Sequence, residues 1–165
     1  MKTLLLVRHA KSSWDAPGLS DFDRPLNDRG KKEAPQMAKR LKEKTPEIDL
    51  FVSSPAKRAR KTAKYFAEEY GLKKDDIQLV DELYMATSSA FEKTITALKD
   101  KNKTVAFFSH NPGITEFANS LTNVRIDDMP TCSIIAIHIN ADQWSDFEKA
   151  EKKFLFFDYP KNPLP

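Results

Sequence analysis

Residues 3–14 read Thr3-Leu4-Leu5-Leu6-Val7-Arg8-His9-Ala10-Lys11-Ser12-Ser13-Trp14. A run of leucine and valine without a polar break predicts a strand that is buried on both faces of a sheet. The run ends abruptly at Arg8 and His9. In an open α/β sheet, ligands bind beyond the carboxyl ends of the strands, so a functional site is expected at these two side chains.

The length and composition of the chain limit the possible classes of protein. We expect its 165 residues to form one domain spanning residues 1–165. The net charge of +3 is too small to predict nucleic-acid binding, and the single cysteine, Cys132, excludes an internal disulfide and a multi-cysteine metal site. No apolar run approaches the roughly 20 residues that span a bilayer, and the N-terminus lacks a signal-peptide pattern. We therefore expect a soluble cytoplasmic monomer that binds neither nucleic acid nor membrane.

Strand and helix patterns alternate along the rest of the chain. Asn27 is placed to cap one helix, and Pro55 suits the start of a second helix that should end at Gly71. A capping-box pattern at residues 89–92 predicts the start of a shorter helix. Short apolar runs predict further strands at residues 49–52, 77–80, 104–108, 133–139 and 154–157. This alternation favours an α/β sheet.

Two further predicted strands are followed by residues that suit an anion. Ser109-His110-Asn111-Pro112-Gly113 follows the strand at residues 104–108. Arg58 lies in the first turn of the helix after Pro55, outside both the buried stripe and a separate basic stripe of that helix. The basic stripe consists of Lys57, Arg60, Lys61 and Lys64. We expect Arg8, His9, Arg58 and His110 to meet at one sheet edge, where guanidinium groups and helix N-termini suit a phosphate dianion.

The expected neighbours of His9 suggest its chemistry. An imidazole flanked by two arginines has its charged form disfavoured, so it should stay neutral and nucleophilic near pH 7. The sequence therefore suggests phosphoryl transfer through a phosphohistidine. We expect no metal and no other cofactor, because no carboxylate cluster of the form that binds Mg²⁺ is visible in the sequence.

These motifs together resemble the histidine phosphatase (phosphoglycerate mutase-like) superfamily. They are Leu6-Val7-Arg8-His9-Ala10, Ser53-Ser54-Pro55-Ala56-Lys57-Arg58-Ala59 and Ser109-His110-Asn111-Pro112-Gly113. The finer resemblance is to small SixA-type phosphohistidine phosphatases, on residues 8–14, on Asp21-Phe22-Asp23-Arg24-Pro25-Leu26 and on Arg29-Gly30. The resemblance covers nearly the whole chain. It implies a three-layer α/β/α sandwich with a mostly parallel central sheet.

The resemblance also implies roles for the four residues of the expected site. His9 corresponds to the nucleophile, and Arg8, Arg58 and His110 correspond to the phosphate pocket. Three polar residues within the same motifs are further candidates for contacts with the substrate: Ser12, Ser13 and Asn111.

One departure from the family pattern concerns the proton donor. Many members carry a glutamate or aspartate after the third strand, where this chain has Leu83-Tyr84-Met85. Glu82 and Asp81 remain possible donors. General acid catalysis accelerates the loss of an alkoxide by about 10²–10⁴-fold, whereas the imidazole of a phosphohistidine can leave already protonated. A missing acid therefore favours phosphohistidine as the substrate, and the lack of a covering insertion between residues 83 and 104 favours a substrate displayed on a protein.

Three functions stay open at this point. The leading hypothesis is hydrolysis of phosphohistidine on a protein through a covalent phospho-His9 intermediate. The second is a small-molecule phosphomonoesterase with Glu82 or Asp81 as the acid, and the third is a phosphoprotein-binding module without turnover. The expected partner is accordingly a phosphohistidine-bearing protein or a small phosphorylated molecule.

Overall fold

A computed structural model describes residues 1–14 and 17–163 of the chain. The strands are β1 (Lys2–Arg8), β2 (Leu50–Ser53), β3 (Ile77–Leu79), β4 (Thr104–Ser109), β5 (Ile134–Ile139) and β6 (Lys152–Asp158). The helices are α1 (Asp28–Lys44), α2 (Lys57–Glu69), α3 (Ser88–Thr96) and α4 (Gly113–Leu121). Short 3₁₀ turns lie at Asp21–Asp23, Lys74–Asp76, Asp81–Leu83 and Trp144–Asp146.

The six strands form one mixed sheet in the order β3-β2-β4-β1-β5-β6. The pairs β3–β2, β2–β4 and β4–β1 are parallel, and β5 is antiparallel to both of its neighbours. Helices α1 and α2 cover one face, and α3 and α4 cover the other face. The predicted three-layer α/β/α architecture with a mostly parallel sheet is therefore confirmed. None of the helices in the described part of the chain has the length and apolarity needed to cross a membrane.

Strand β1 lies in the interior of the sheet, as its unbroken apolar run predicted. Leu4 and Leu6 pack into the core beneath α3 and α4, whereas Leu5 and Val7 pack into the core beneath α1 and α2. Alternate side chains of a strand point to opposite faces, so a strand covered by helices on both faces must be apolar throughout. The register pairs Arg8 with Ser109 of β4. This pairing brings the motifs that follow β1 and β4 to the same edge of the sheet.

Local signals located most of the helix ends. The Asn27 side chain accepts a hydrogen bond from the Gly30 N–H at 2.9 Å and caps α1, and α2 ends just before Gly71, which has a φ of +75°. The capping-box prediction at residues 89–92 was wrong by two positions. Helix α3 begins at Ser88, because the Thr87 side chain accepts from the Ala90 N–H and acts as the cap.

Candidate active site

The four residues predicted to form the site line one open cleft of about 640 Å³ at the carboxyl ends of β1, β2 and β4. Arg8 ends β1, Arg58 lies in the first turn of α2, and His110 directly follows β4. The ring centroids of His9 and His110 are 5.1 Å apart. Arg58 is only 6% exposed, whereas Lys61 on the same helix is exposed, so the structure separates Arg58 from the basic stripe as the helical wheel predicted.

The His9 imidazole is fixed in one tautomer. Its Nδ1 lies 2.7 Å from the carbonyl oxygen of Ala10. A carbonyl oxygen only accepts, so Nδ1 carries the proton and Nε2 carries the lone pair of the neutral ring. Burial, together with the nearby His110, Arg58 and Arg8, holds the pKa of His9 well below 6.5 although the Ala10 hydrogen bond raises it. His9 is therefore neutral at pH 7, with Nε2 as its basic atom.

His110 is also neutral at pH 7. Burial, followed by the charge of Arg58, lowers the pKa of His110 to about 3. Its Nε2 lies 2.8 Å from Oγ of Ser54, a buried hydroxyl that already accepts from the Ala56 N–H. A buried hydroxyl proton needs an acceptor, and Nε2 is the acceptor at hand. The ring proton then lies on Nδ1, which is buried and has no hydrogen-bond partner within the described residues.

The two arginines are only partly satisfied by the protein. Nη1 of Arg8 donates to the Met129 carbonyl at 2.8 Å, and Nη1 and Nη2 of Arg58 donate to the backbone oxygen and carboxylate of Asp21 at 2.6 and 3.0 Å. The Nε atoms of both arginines are buried without a partner in the described part of the chain. An unpaired buried donor costs about 1–3 kcal/mol. The site thus has an excess of donors, which is the complement of a phosphate group with its several acceptor oxygens.

A carboxylate that sequence reasoning did not single out joins the walls of the cleft. Asp21 accepts from the Tyr84 hydroxyl at 2.6 Å and from Nη1 of Arg24 at 3.0 Å, in addition to Arg58. We call Asp21, Arg24, Arg58 and Tyr84 the Asp21 network. The hydrogen bond from Tyr84, followed by those from Arg24 and Arg58, lowers the pKa of Asp21, so its carboxylate stays ionised. The sequence feature that could have pointed to Asp21 is the long polar segment between β1 and α1, because long loops in small domains are often functional.

Of the three candidate substrate contacts, Ser12, Ser13 and Asn111, two lie at the cleft. Ser12 and Asn111 line the cleft. The Asn111 amide donates to Asp128 at 2.6 Å and to the Met129 carbonyl at 3.0 Å. The Met129 carbonyl also accepts a hydrogen bond from Arg8, so Asn111 fixes the backbone segment to which Arg8 is bonded. Ser13 interacts with the neighbouring loop through its backbone, donating to the Pro25 carbonyl and accepting from Nε of Arg24.

Glu82, the possible proton donor, is not brought to the cleft. It is exposed and lines a second cavity together with Leu50, Gln78 and Lys93. The 3₁₀ turn Asp81–Leu83 explains this placement, because it directs Leu83 into the core and Tyr84 toward the cleft. The residues that line the cleft instead include two other carboxylates, Asp21 and Glu116.

Two sequence expectations concern metal ligands and the single thiol. Among the residues that the structure describes, no group of three or more His, Cys, Asp and Glu side chains could hold a metal ion. Cys132 is fully buried, and burial raises the pKa of its thiol.

The sequence profile of the histidine phosphatase superfamily (branch 1) matches residues 4–88, which carry Arg8, His9 and Arg58. The chain belongs to the histidine phosphatase superfamily. Members of this superfamily are phosphatases and mutases, so membership supports phosphatase activity for this chain.

Relatives within the histidine phosphatase superfamily differ in what they are known to do. An uncharacterized protein of Mycobacterium leprae is 28% identical over 167 residues, which cover 94% of this chain and 100% of the relative. Phosphoserine phosphatase 1 of Hydrogenobacter thermophilus is 40% identical over 86 residues, which cover 49% of this chain and 40% of that enzyme.

Solved structures of histidine phosphatases share this fold over nearly all of the chain. A protein of Agrobacterium tumefaciens assigned as the phosphohistidine phosphatase SixA superposes with a TM-score of 0.80 at 26% identity, covering 96% of this chain and 98% of that protein. The protein histidine phosphatase SixA complexed with tungstate superposes with the same TM-score at 23% identity. The superposition covers 96% of this chain and 97% of the SixA chain. At this lower identity the second comparison shows the fold alone.

The Asp21→Asn variant tests the Asp21 network. The amide keeps the size of the side chain but removes its charge, so Arg58 loses the ion pair that fixes it. We expect kcat to fall about tenfold, which corresponds to roughly 1.4 kcal/mol on the barrier. Inorganic phosphate should at the same time inhibit more strongly, because a negative charge near the bound dianion is gone. Steady-state kinetics with phosphate as the inhibitor measures both effects.

The control for this variant is Asp23→Asn in the same 3₁₀ turn. Asp23 is exposed and accepts from Ser20, outside the Asp21 network. We expect it to change neither kcat nor phosphate inhibition. If kcat falls and inhibition by phosphate also becomes weaker in Asp21→Asn, Asp21 only supports the loop between β1 and α1.

Proposed function

We propose that this chain hydrolyses phosphohistidine carried on a protein, through a covalent phosphoryl intermediate on His9. The observation that carries the proposal is the state of Asp21, the carboxylate bonded to Arg58. Three donors hold it ionised, so it cannot supply a proton to a leaving group. A site that pairs a neutral nucleophilic histidine with an ionised carboxylate suits a leaving group that needs no strong acid.

The first step transfers the phosphoryl group to the protein. The lone pair on Nε2 of His9 attacks phosphorus as the P–N bond of the substrate breaks. The substrate imidazole, which carries a proton on its other ring nitrogen, takes the electron pair of that bond and leaves as a neutral ring. Charge on the transferred group lies on its equatorial oxygens. The Arg8 and Arg58 guanidinium groups and the free Nδ1–H of His110 are the donors that stabilise this charge.

The second step returns His9 to its starting state. A water molecule attacks the phosphorus of phospho-His9, the P–Nε2 bond breaks, and its electron pair returns to Nε2 while the water proton passes to a phosphate oxygen. Because Nδ1 keeps its proton through the hydrogen bond to Ala10, His9 leaves as a neutral imidazole. The same hydrogen bond thus supports His9 as nucleophile in the first step and as leaving group in the second.

Glu116 favours a second candidate function. This exposed residue of α4 lines the same cleft and could protonate an alkoxide. The chain would then be a small-molecule phosphomonoesterase, with Glu116 in the role that the sequence suggested for Glu82 or Asp81. The match to phosphoserine phosphatase 1 over 86 residues supports this alternative at the level of the superfamily.

A substrate panel with two variants separates the two functions. With a phosphohistidine-bearing protein as the true substrate, kcat/KM should exceed that for phosphoserine and phosphoglycerate by at least about 10²-fold, the contribution expected from a missing general acid. Glu116→Gln should then change turnover of phosphohistidine less than threefold, and Glu82→Gln, in its separate cavity, is the matched control. A preference for phosphomonoesters that falls about 10²-fold in Glu116→Gln alone would establish the second function instead.

A further inference from the structure

Two large apolar side chains at the cleft remain exposed to solvent. Trp14 is 75% exposed and Met85 is 82% exposed, the highest values for large apolar side chains among the described residues. Both line the cleft that contains His9. Tryptophan and methionine are enriched in protein interfaces, where they are buried by the partner. Their exposure at the cleft therefore requires a functional explanation.

Trp14 is held in place by the Asp21 network. The Arg24 guanidinium stacks on the Trp14 ring at 3.2 Å from its centroid. Arg24 in turn donates to the Ser12 hydroxyl, the Ser13 carbonyl and Asp21. A ring that is fixed before binding loses little conformational entropy when a partner covers it.

Met85 is held outward by the chain on both sides. It has a φ of +59°, in the left-handed region that non-glycine residues rarely adopt. On one side, the Tyr84 hydroxyl is bonded to Asp21. On the other side, the Ala86 carbonyl packs so closely on Gly113 that a Cβ at Gly113 would collide with it. Backbone strain of this kind persists where the surroundings fix it and is concentrated at functional sites.

We propose that Trp14 and Met85 form a docking rim that binds an apolar surface of the protein carrying the phosphohistidine. This inference rests on the proposed function. The rim is continuous with the cleft, and a histidine side chain is short. A protein that delivers its phosphohistidine to the buried His9 therefore brings the surface around that residue onto Trp14 and Met85. A small polar phosphomonoester would gain nothing from covering these two side chains.

The experiment compares two substrates that share the P–N bond but differ in size, namely a folded histidine-phosphorylated protein and the amino acid phosphohistidine. The informative variants are Met85→Asn, since asparagine tolerates the left-handed conformation, and Trp14→Gln. We expect each variant to lower the ratio of kcat/KM for the protein to kcat/KM for the amino acid about tenfold, mainly through KM. The matched control is Leu155→Asn, an exposed apolar residue of β6 beside a separate cavity, which should leave the ratio unchanged.

The amino-acid substrate reports directly on whether each variant still has an intact active site. An unchanged ratio in both variants would overturn the docking rim and leave the proposed function standing. A wild-type protein that hydrolyses only the amino acid would overturn both the docking rim and the protein-borne substrate of the proposed function. If the wild-type protein hydrolyses neither substrate, the proposed function fails and the docking rim fails with it.

Discussion

The His9→Ala variant is expected to hydrolyse phosphohistidine at least about 10⁴-fold more slowly than wild type, because it lacks the nitrogen atom that forms the covalent intermediate. The fold should persist. The hydrogen bond of the His9 ring is to the adjacent Ala10, and the residue follows the end of β1 rather than lying in the apolar core. We expect the melting temperature to change by no more than about 4 °C, roughly 1–2 kcal/mol for a chain of this size.

The matched control for this prediction is His138→Ala. His138 lies on β5, pairs with Thr3 of β1 and is half-buried outside the cleft. The His138→Ala variant should keep kcat/KM within about twofold of wild type. That result would exclude a general effect of removing a histidine. Retention of more than about 1% of wild-type turnover by a folded His9→Ala protein would contradict the nucleophilic role.

The second large effect is expected for Arg58→Ala. This variant removes donors to the transferred phosphoryl group, and losing one such donor costs about 10²–10³-fold in kcat. Arg60→Ala is the matched control, because Arg60 lies on the basic stripe of the same helix and its Nε donates to the Pro55 carbonyl. We expect Arg60→Ala to stay within about threefold of wild type. Comparison of kcat/KM for the two variants, with melting curves, measures the difference.

Arg58→Lys adds a test of geometry. A lysine keeps the charge but cannot present the planar donor pair of a guanidinium, so we expect it to restore less than about a tenth of the lost rate. Equal losses in Arg58→Ala and Arg60→Ala would contradict the distinct roles assigned to the two arginines. Full recovery in Arg58→Lys would show that charge alone is required at this position.

The parts of the fold and site that the sequence predicted correctly depend on short-range signals. The apolar run of β1 identified an inner strand, and the wheel position of Arg58 placed it off the basic stripe. The Asn27 cap acts on Gly30, only three residues away. Because strands end where their apolar runs end, the meeting of Arg8, His9 and His110 at one edge followed from the sheet itself.

The parts that could not be predicted depend on contacts between distant residues. Tyr84 bonds to Asp21 across 63 positions of the chain, and Arg58 bonds to Asp21 across 37. No local pattern shows that these three side chains meet. The placement of Glu82 likewise depends on the burial of Leu83 in the core, which the residues of the 3₁₀ turn do not reveal by themselves.

The covalent intermediate is tested most directly by rapid quenching. The protein is mixed with a substrate protein carrying radioactive phosphohistidine, quenched in alkali within milliseconds and mapped by peptide analysis. We predict transient labelling of the peptide that contains His9, on Nε2 rather than on Nδ1, because Nδ1 is bonded to the Ala10 carbonyl. The label should be acid-labile and absent from His9→Ala. Release of phosphate at the wild-type rate without label on His9 at any quench time would contradict the mechanism.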